Sequence, residues 1–359
     1  MRAATLTAFG SPLEVHDAPD PEAGTGEVLV EVLATCVPPY AAEVFSGERR
    51  YPLEPPVVPG VGGIGRLARV GPDATKLEVG DLVWCDSTVR ARDDALTPDI
   101  TLQGWSSRGE GGARLARYLH DGPFAELMRV PTENVHPLPA GAAADPARWS
   151  TLGVHTIPYG GLLAGRLAAG ETVLISGATG NLGSSAVAVA LAMGAGHVIA
   201  PGRNRAALDL LAGRFGSRVS PVVLSGEEDG DRAAMAAGGP IDLVLDLLPP
   251  RAPSSAARAA AMTVREYGRV VLMGGVGMLG GADLALPYPW IMRNSVTVRG
   301  QWMYPRAANT GMIRLVATGA LDLTPERVTR FGLDQVNDAV AHAAAHGGPF
   351  DRTVLIPRT

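Results

Sequence analysis

Three glycines spaced three apart, Gly177, Gly180 and Gly183, stand between the apolar run TVLIS (172–176) and the helical stretch SSAVAVALAMG (184–194). A strand that runs into a glycine-rich turn and then into a helix suits one chemistry, the binding of a pyrophosphate. The start of the helix offers free N–H groups and a partial positive charge to the phosphates. Against the fingerprint G-x-G-x-x-G the stretch reads Ala178-x-Gly180-x-x-Gly183. Gly180 lets the backbone approach the phosphates, and Gly183 lets the helix pack close to the strand. With Thr179, Asn181 and Leu182, the segment from Gly177 to Gly183 is the expected cradle of a dinucleotide. The competing reading is a tight strand-to-helix turn in an unrelated α/β protein.

The end of the next apolar run, HVIA (197–200), decides which dinucleotide is expected. An acidic residue about 20 positions beyond the turn would hold the ribose 2′-hydroxyl of NAD. Here the chain reads Ala200-Pro201-Gly202-Arg203-Asn204-Arg205. Gly202 stands where the carboxylate would be, Arg203 follows, and Arg205 is a second candidate. Without a carboxylate nothing repels a 2′-phosphate, and an arginine can pair with it. The expected cofactor is NADP(H). The alternative is that Arg203 is a solvated loop cation.

These residues need a scaffold. The chain has 359 residues, enough for two domains, with 46% hydrophobic and 19% charged residues, the composition of a globular protein with a large core. Residues 1 to about 150 read as β-rich, with EVLVEVLAT (27–35) alternating like a strand and GDLVWC (80–85) as a shorter one. From about 170 the runs TVLIS, HVIA, IDLVLDLL (241–248) and RVVLMG (269–274) alternate with helical stretches such as RAALDLLAGRF (205–215). That alternation predicts a doubly wound parallel sheet. A helical stretch follows VTVRGQ (296–301), and RTVLIP (352–357) predicts a last strand. The polar segment between Asp86 and Gly122, with a possible helix in ARLARYLHD, reads as an insertion on the first domain.

Several function classes fall away. The net charge is −5 and no basic block stands out, so no nucleic-acid partner is expected. The apolar stretch AVAVALAMGA is too short to span a bilayer, and MRAATLTAFG lacks a signal-peptide core, so no membrane partner is expected. Two cysteines, Cys36 and Cys85, build neither a disulfide framework nor a four-cysteine zinc lobe, which fits a reducing cytoplasm. Lys76 is the sole lysine and so the sole candidate for a Schiff base. No G-x-S-x-G elbow is present. His342 and His346 have metal-ligand spacing, but no third ligand is close in sequence, and histidines near a helix end also suit the helix dipole.

Four stretches together resemble the medium-chain dehydrogenase/reductase superfamily over nearly the whole chain. They are EVLVEVLATCVPPYAAEVFSG, PPVVPGVGGIGRLARVGPDATKLEVGDLV, the glycine-turn segment, and GRVVLMGG with GGPFDRTVLIP. The resemblance implies a GroES-like catalytic domain over 1–150 and 302–359, and a Rossmann domain over 151–301. It implies hydride transfer between a nicotinamide and a small molecule. Its zinc members carry C-H-T-D where this chain has Pro38, Pro39, Tyr40 and Ala41, G-H-E where it has Gly60, Val61 and Gly62, and a third ligand near Thr151. None of these ligates zinc as the family does, so no metal is expected. The zinc-free branch, with quinone, enal and enone reductases, has V-N-P-x-D at 37–41, of which Val37 and Pro39 remain.

The resemblance extends the cofactor set to Leu247, Gly274, Gly275, Val276 and Arg352. It puts His155 where relatives keep a threonine near the nicotinamide, with packing as the other reading. Tyr40 falls in the proton-relay slot, as hydrogen-bond donor or aromatic wall. Trp105 and Trp290 are expected walls of the substrate pocket. The expected activity is NADPH-dependent, zinc-independent reduction of an activated C=C. The alternatives are a zinc-independent carbonyl reductase or alcohol dehydrogenase and a non-catalytic NADPH-binding protein. VTVRGQ as a sheet edge points to a homodimer.

Overall fold

The computed structural model describes residues 1–358 and divides into two compact units. One unit takes Val154–Asp322 and Gly348–Phe350. Its six strands lie in the order Val219–Val223, His197–Gly202, Thr172–Ser176, Ile241–Asp246, Val264–Leu272, Thr297–Gly300, every pair parallel. Numbered along the chain this order is 3-2-1-4-5-6, the doubly wound arrangement of a Rossmann fold. The strand order reverses between Thr172–Ser176 and Ile241–Asp246, so the carboxyl ends of these two strands flank the crevice where such sheets bind ligands. Leu174, Ile199, Val244 and Val270 are at most 1% exposed, because strands covered by helices on both faces are apolar throughout.

The other unit takes Met1–Gly153, Leu323–Gly347 and residues 351–358. Its largest sheet has seven strands built around Glu27–Val37, which pairs with Gly63–Val70, Leu127–Pro131 and the C-terminal strand Asp351–Ile356. The register Val354↔Cys36 closes the sheet between the first and last parts of the chain. That pairing is why this domain is discontinuous in sequence. Between Asp86 and Gly122 lie three short strands, Thr88–Arg90, Ile100–Leu102 and Ser106–Ser107, and the helix Gly109–Tyr118.

The domain boundary differs from the expected one at the C-terminal side. Residues 302–322 group with the parallel sheet rather than with the GroES-like unit. The reason is packing against the helix Leu152–Ala164. A Cβ on Gly160 would reach Tyr304, and a Cβ on Gly311 would reach Tyr159, so two glycines let helix Ala307–Ala317 and the chain before it lie close. Among the described residues no helix is long and apolar enough to cross a membrane.

Candidate functional site

The strand Thr172–Ser176 ends in Gly177, whose φ of 86° is in the left-handed region that favours glycine. The chain turns there so that the Gly180 N–H donates back to the Gly177 carbonyl at 3.0 Å. Gly180 then caps the twelve-residue helix Asn181–Ala192 with no side chain to offer, so this helix end keeps its positive character for a ligand. Ser184 and Ser185 donate their hydroxyls to the Asn181 carbonyl and tie the first turn together. A Cβ on Gly183 would overlap the Gly177 carbonyl oxygen, so glycine is the one residue that allows this contact between turn and helix.

The neighbouring strand ends converge on the same place. Leu247 donates to the Ser176 carbonyl at 3.0 Å, Met273 to the Asp246 carbonyl at 3.0 Å, and Gly275 to the Leu248 carbonyl at 2.8 Å. Leu247, Gly274, Gly275 and Val276 therefore sit at the same edge of the sheet as the glycine turn. A Cβ on Gly274 would come 2.6 Å from the Leu248 carbonyl oxygen, so this loop, too, needs a glycine to lie so close. Asp246 lies beneath, 4% exposed. Burial pushes its carboxyl up to about 6, while hydrogen bonds from Ser176 and from the Leu248 backbone pull it back. Asp246 was missed in sequence, although an acid closing the apolar run IDLVLD is itself a signal.

At the end of the second strand Gly202 is buried, and Arg203, Asn204 and Arg205 are exposed. The Asn204 side chain accepts the Ala207 N–H at 3.2 Å and caps the helix Arg205–Phe215. Arg203 and Arg205 make no ion pair among the described residues.

Four expected ligand residues are packed within the protein. His155 is 1% exposed inside the helix Leu152–Ala164. The Arg352 side chain is 1% exposed in the GroES-like unit and pairs with Glu326 at 2.8 Å. Trp290, on the helix Tyr288–Arg293, packs against the core cluster of the Rossmann unit that holds Val270 and Val296. Trp105 is 1% exposed, with its ring packed against Tyr40 and Phe45, and so backs a site rather than lining an open wall.

Tyr40 is the centre of a cluster in the GroES-like unit. It precedes the short helix Ala41–Phe45 and is partly exposed. Trp105 and Tyr51 meet its ring edge-on, with centroids 5.9 and 6.5 Å away. The Arg49 guanidinium lies 4.4 Å over the ring and pairs with Glu43 at 2.9 Å. Desolvation pushes the Tyr40 hydroxyl well above its ordinary value, against the pull of Arg49 and the Trp105 N–H. Arg49, Tyr51 and Glu43 were missed, because only packing brings them to Tyr40.

Around it, Cys36 is buried with its sulfur 3.4 Å from the Ser150 carbonyl and hydroxyl, and burial pushes its thiol up to about 11. Thr151 is fully buried and donates its hydroxyl to the Arg148 carbonyl at 2.8 Å. Gly60 and Gly62 have positive φ, and a Cβ would meet Pro123 and Phe124 at the first and the Cys85 carbonyl at the second. His342 and His346 stack with ring centroids 4.2 Å apart, and His342 hydrogen-bonds Thr353. No three His, Cys, Asp or Glu side chains come together as a metal site among the described residues.

Comparison with known proteins gives two domain matches in succession. Residues 24–140 match the alcohol dehydrogenase GroES-like domain, and residues 182–318 match the zinc-binding dehydrogenase domain. An alcohol dehydrogenase of Rhizobium meliloti strain 1021 is 34% identical over 203 residues, covering 56% of this chain and 57% of that relative. The match thus spans a little over half of that relative's length. An alcohol dehydrogenase of Geobacillus stearothermophilus is 27% identical over 361 residues, covering 95% of this chain and 98% of that relative. The fold is shared with a protein described as a zinc-binding dehydrogenase from Sinorhizobium meliloti 1021, solved bound to NADP, at a TM-score of 0.81, 22% identity and 99% coverage of each chain. With a GroES-like domain match followed by a zinc-binding dehydrogenase domain match, and a doubly wound sheet carrying the glycine turn, the chain is similar along nearly its whole length to alcohol dehydrogenases.

Proposed function

We propose that this protein is an NADPH-dependent, zinc-independent oxidoreductase that delivers hydride to an activated C=C bond, as in an enone, an enal or a quinone. The observation that carries the reading is the chemistry of the Pro38–Tyr40 region. Pro38, Gly60, Val61 and Gly62 have no side-chain donor for a metal, and the Thr151 hydroxyl is committed to a backbone carbonyl. This set does not fit zinc. What the region offers instead is the Tyr40 O–H, on a ring packed against Arg49 and Trp105. Without a Lewis acid an isolated carbonyl is hard to polarise. A conjugated acceptor needs less, because hydrogen bonds can hold the developing enolate.

A bound nicotinamide supplies the hydride. The turn from Gly177 to Gly183 would hold its pyrophosphate, and Arg203 with Arg205 would pair with its 2′-phosphate. Tyr40 donates its O–H to the substrate oxygen on which charge develops. Its raised pKa keeps it a neutral donor across physiological pH. Tyr40→Phe is expected to lower kcat by about 100-fold, the typical worth of one oxyanion donor. Unchanged turnover with a reducible enone would remove the donor role. Arg203→Ala is expected to lower the NADPH-over-NADH ratio of kcat/KM about 10- to 100-fold, the worth of a charge-assisted contact. An unmoved ratio overturns the cofactor assignment.

The alcohol dehydrogenases among the relatives favour a second reading, reduction of a carbonyl or oxidation of an alcohol. Product analysis with an enone separates the two, as a saturated ketone or an allylic alcohol. The edge strand Thr297–Gly300 is exposed along its length and leaves one side of its backbone unpaired in the sheet. We assign it to a homodimer contact that would cover it. Sedimentation should then give the mass of two chains, and a monomer at micromolar concentration would refute it.

A further inference from the structure

Gly202 ends the second strand of the parallel sheet, and its φ lies outside the left-handed region. Backbone conformation therefore does not demand glycine there. What demands it is Thr179, in the glycine-rich turn of the neighbouring strand. A Cβ at position 202 would overlap the Thr179 methyl, and would lie 3.0 Å from its hydroxyl oxygen and 3.3 Å from its Cβ. Threonine is stiff about χ1 and carries two heavy atoms on Cβ. Two of its three Cβ substituent positions face residue 202, so every χ1 well leaves the methyl or the hydroxyl there. The turn cannot readily retreat either, since Ala178 beside Thr179 is fully buried and Gly180 is hydrogen-bonded to Gly177.

We infer that Thr179 and Gly202 form one specificity element, in which Thr179 fills the space that any side chain at 202 needs and so excludes the carboxylate that would hold an unphosphorylated ribose. The steric coupling stands on the geometry, and its role in selectivity rests on the NADPH reading above. Selectivity then has two parts. Arg203 attracts the 2′-phosphate, and Thr179 closes the route by which a single substitution would build an NAD site.

The test uses the full-length protein and NADPH or NADH fluorescence titration. Gly202→Ala adds one methyl and no charge. It is expected to weaken both nucleotides about 10-fold or more, as overpacking does. Thr179→Ser removes the overlapping methyl and leaves a hydroxyl free to turn away. In the Gly202→Ala background it is expected to restore most of the lost affinity. Thr179→Ser with Gly202→Asp should bind NADH over NADPH, whereas Gly202→Asp alone should bind neither well. Unchanged affinity in Gly202→Ala overturns the coupling. If Gly202→Ala gives no folded protein, soluble yield and Tm carry the same comparison: recovery on adding Thr179→Ser supports the element, and no recovery overturns it. A wild-type protein that binds NADH as tightly as NADPH sinks the cofactor reading instead, and the Ala and Ser comparison is then read on NADH.

Discussion

Gly183→Ala is expected to reduce NADPH affinity by more than about 100-fold, the scale of loss when binding groups move by about 1 Å. The added Cβ would overlap the Gly177 carbonyl oxygen and lie 2.6 Å from the Gly177 carbonyl carbon and 2.8 Å from the Ala178 Cα. All three are backbone atoms, so no side chain can rotate out of the way. Relief requires the helix Asn181–Ala192 to move off the strand Thr172–Ser176, and that carries the N–H groups of its first turn away from the pyrophosphate. Gly180→Ala separates the two glycine roles. There a Cβ meets nothing closer than 3.4 Å, so the protein should keep its Tm and lose only the close approach of the ligand. Fluorescence titration of NADPH with a thermal melt of each variant reads both. A Gly183→Ala protein that binds NADPH as the wild type does would remove this turn from the cofactor site.

The glycine turn was legible because everything it needs is local. TVLIS is the strand Thr172–Ser176 and RAALDLLAGRF is the helix Arg205–Phe215, both bounded by their own sequence. The strand Val219–Val223 was not read. It is the half-exposed edge of the sheet with Pro221 inside it, and neither apolar continuity nor β-propensity marks such a segment. The grouping of residues 302–322 with the parallel sheet left no mark in the sequence for a related reason. Helix Ala307–Ala317 belongs to the Rossmann unit through Gly160 and Gly311, and a small residue that permits close packing leaves no periodic trace. Tyr40 was singled out by its slot, yet its cation Arg49 depends on a turn between the two that sequence spacing does not describe. Trp105 and Arg352 pose the opposite difficulty. A large aromatic and an arginine read equally well as site or as interior, and only burial distinguishes them.

Arg352 makes that distinction measurable. Its side chain and that of Glu326 are 1% and 0% exposed and 2.8 Å apart, on the last strand and on the segment that leads into its neighbour Arg327–Gly332. Arg352→Met leaves the Glu326 carboxylate buried without its cation, at a cost of about 3–5 kcal/mol. Arg352→Met with Glu326→Leu removes both charges and should recover most of that loss, since an apolar pair of similar volume is often as stable as a buried ion pair. Urea unfolding of the four proteins in the cycle isolates the coupling between them. The nucleotide readout then decides the role. As an internal pair, Arg352 lost in the double variant should leave NADPH affinity and the NADPH-over-NADH ratio at wild-type values. As the cofactor contact that the family resemblance implied, it should weaken NADPH binding in the double variant despite restored stability. Full burial beside Glu326 favours the first outcome, because a guanidinium already desolvated and neutralised has neither the exposure nor the charge to attract a phosphate.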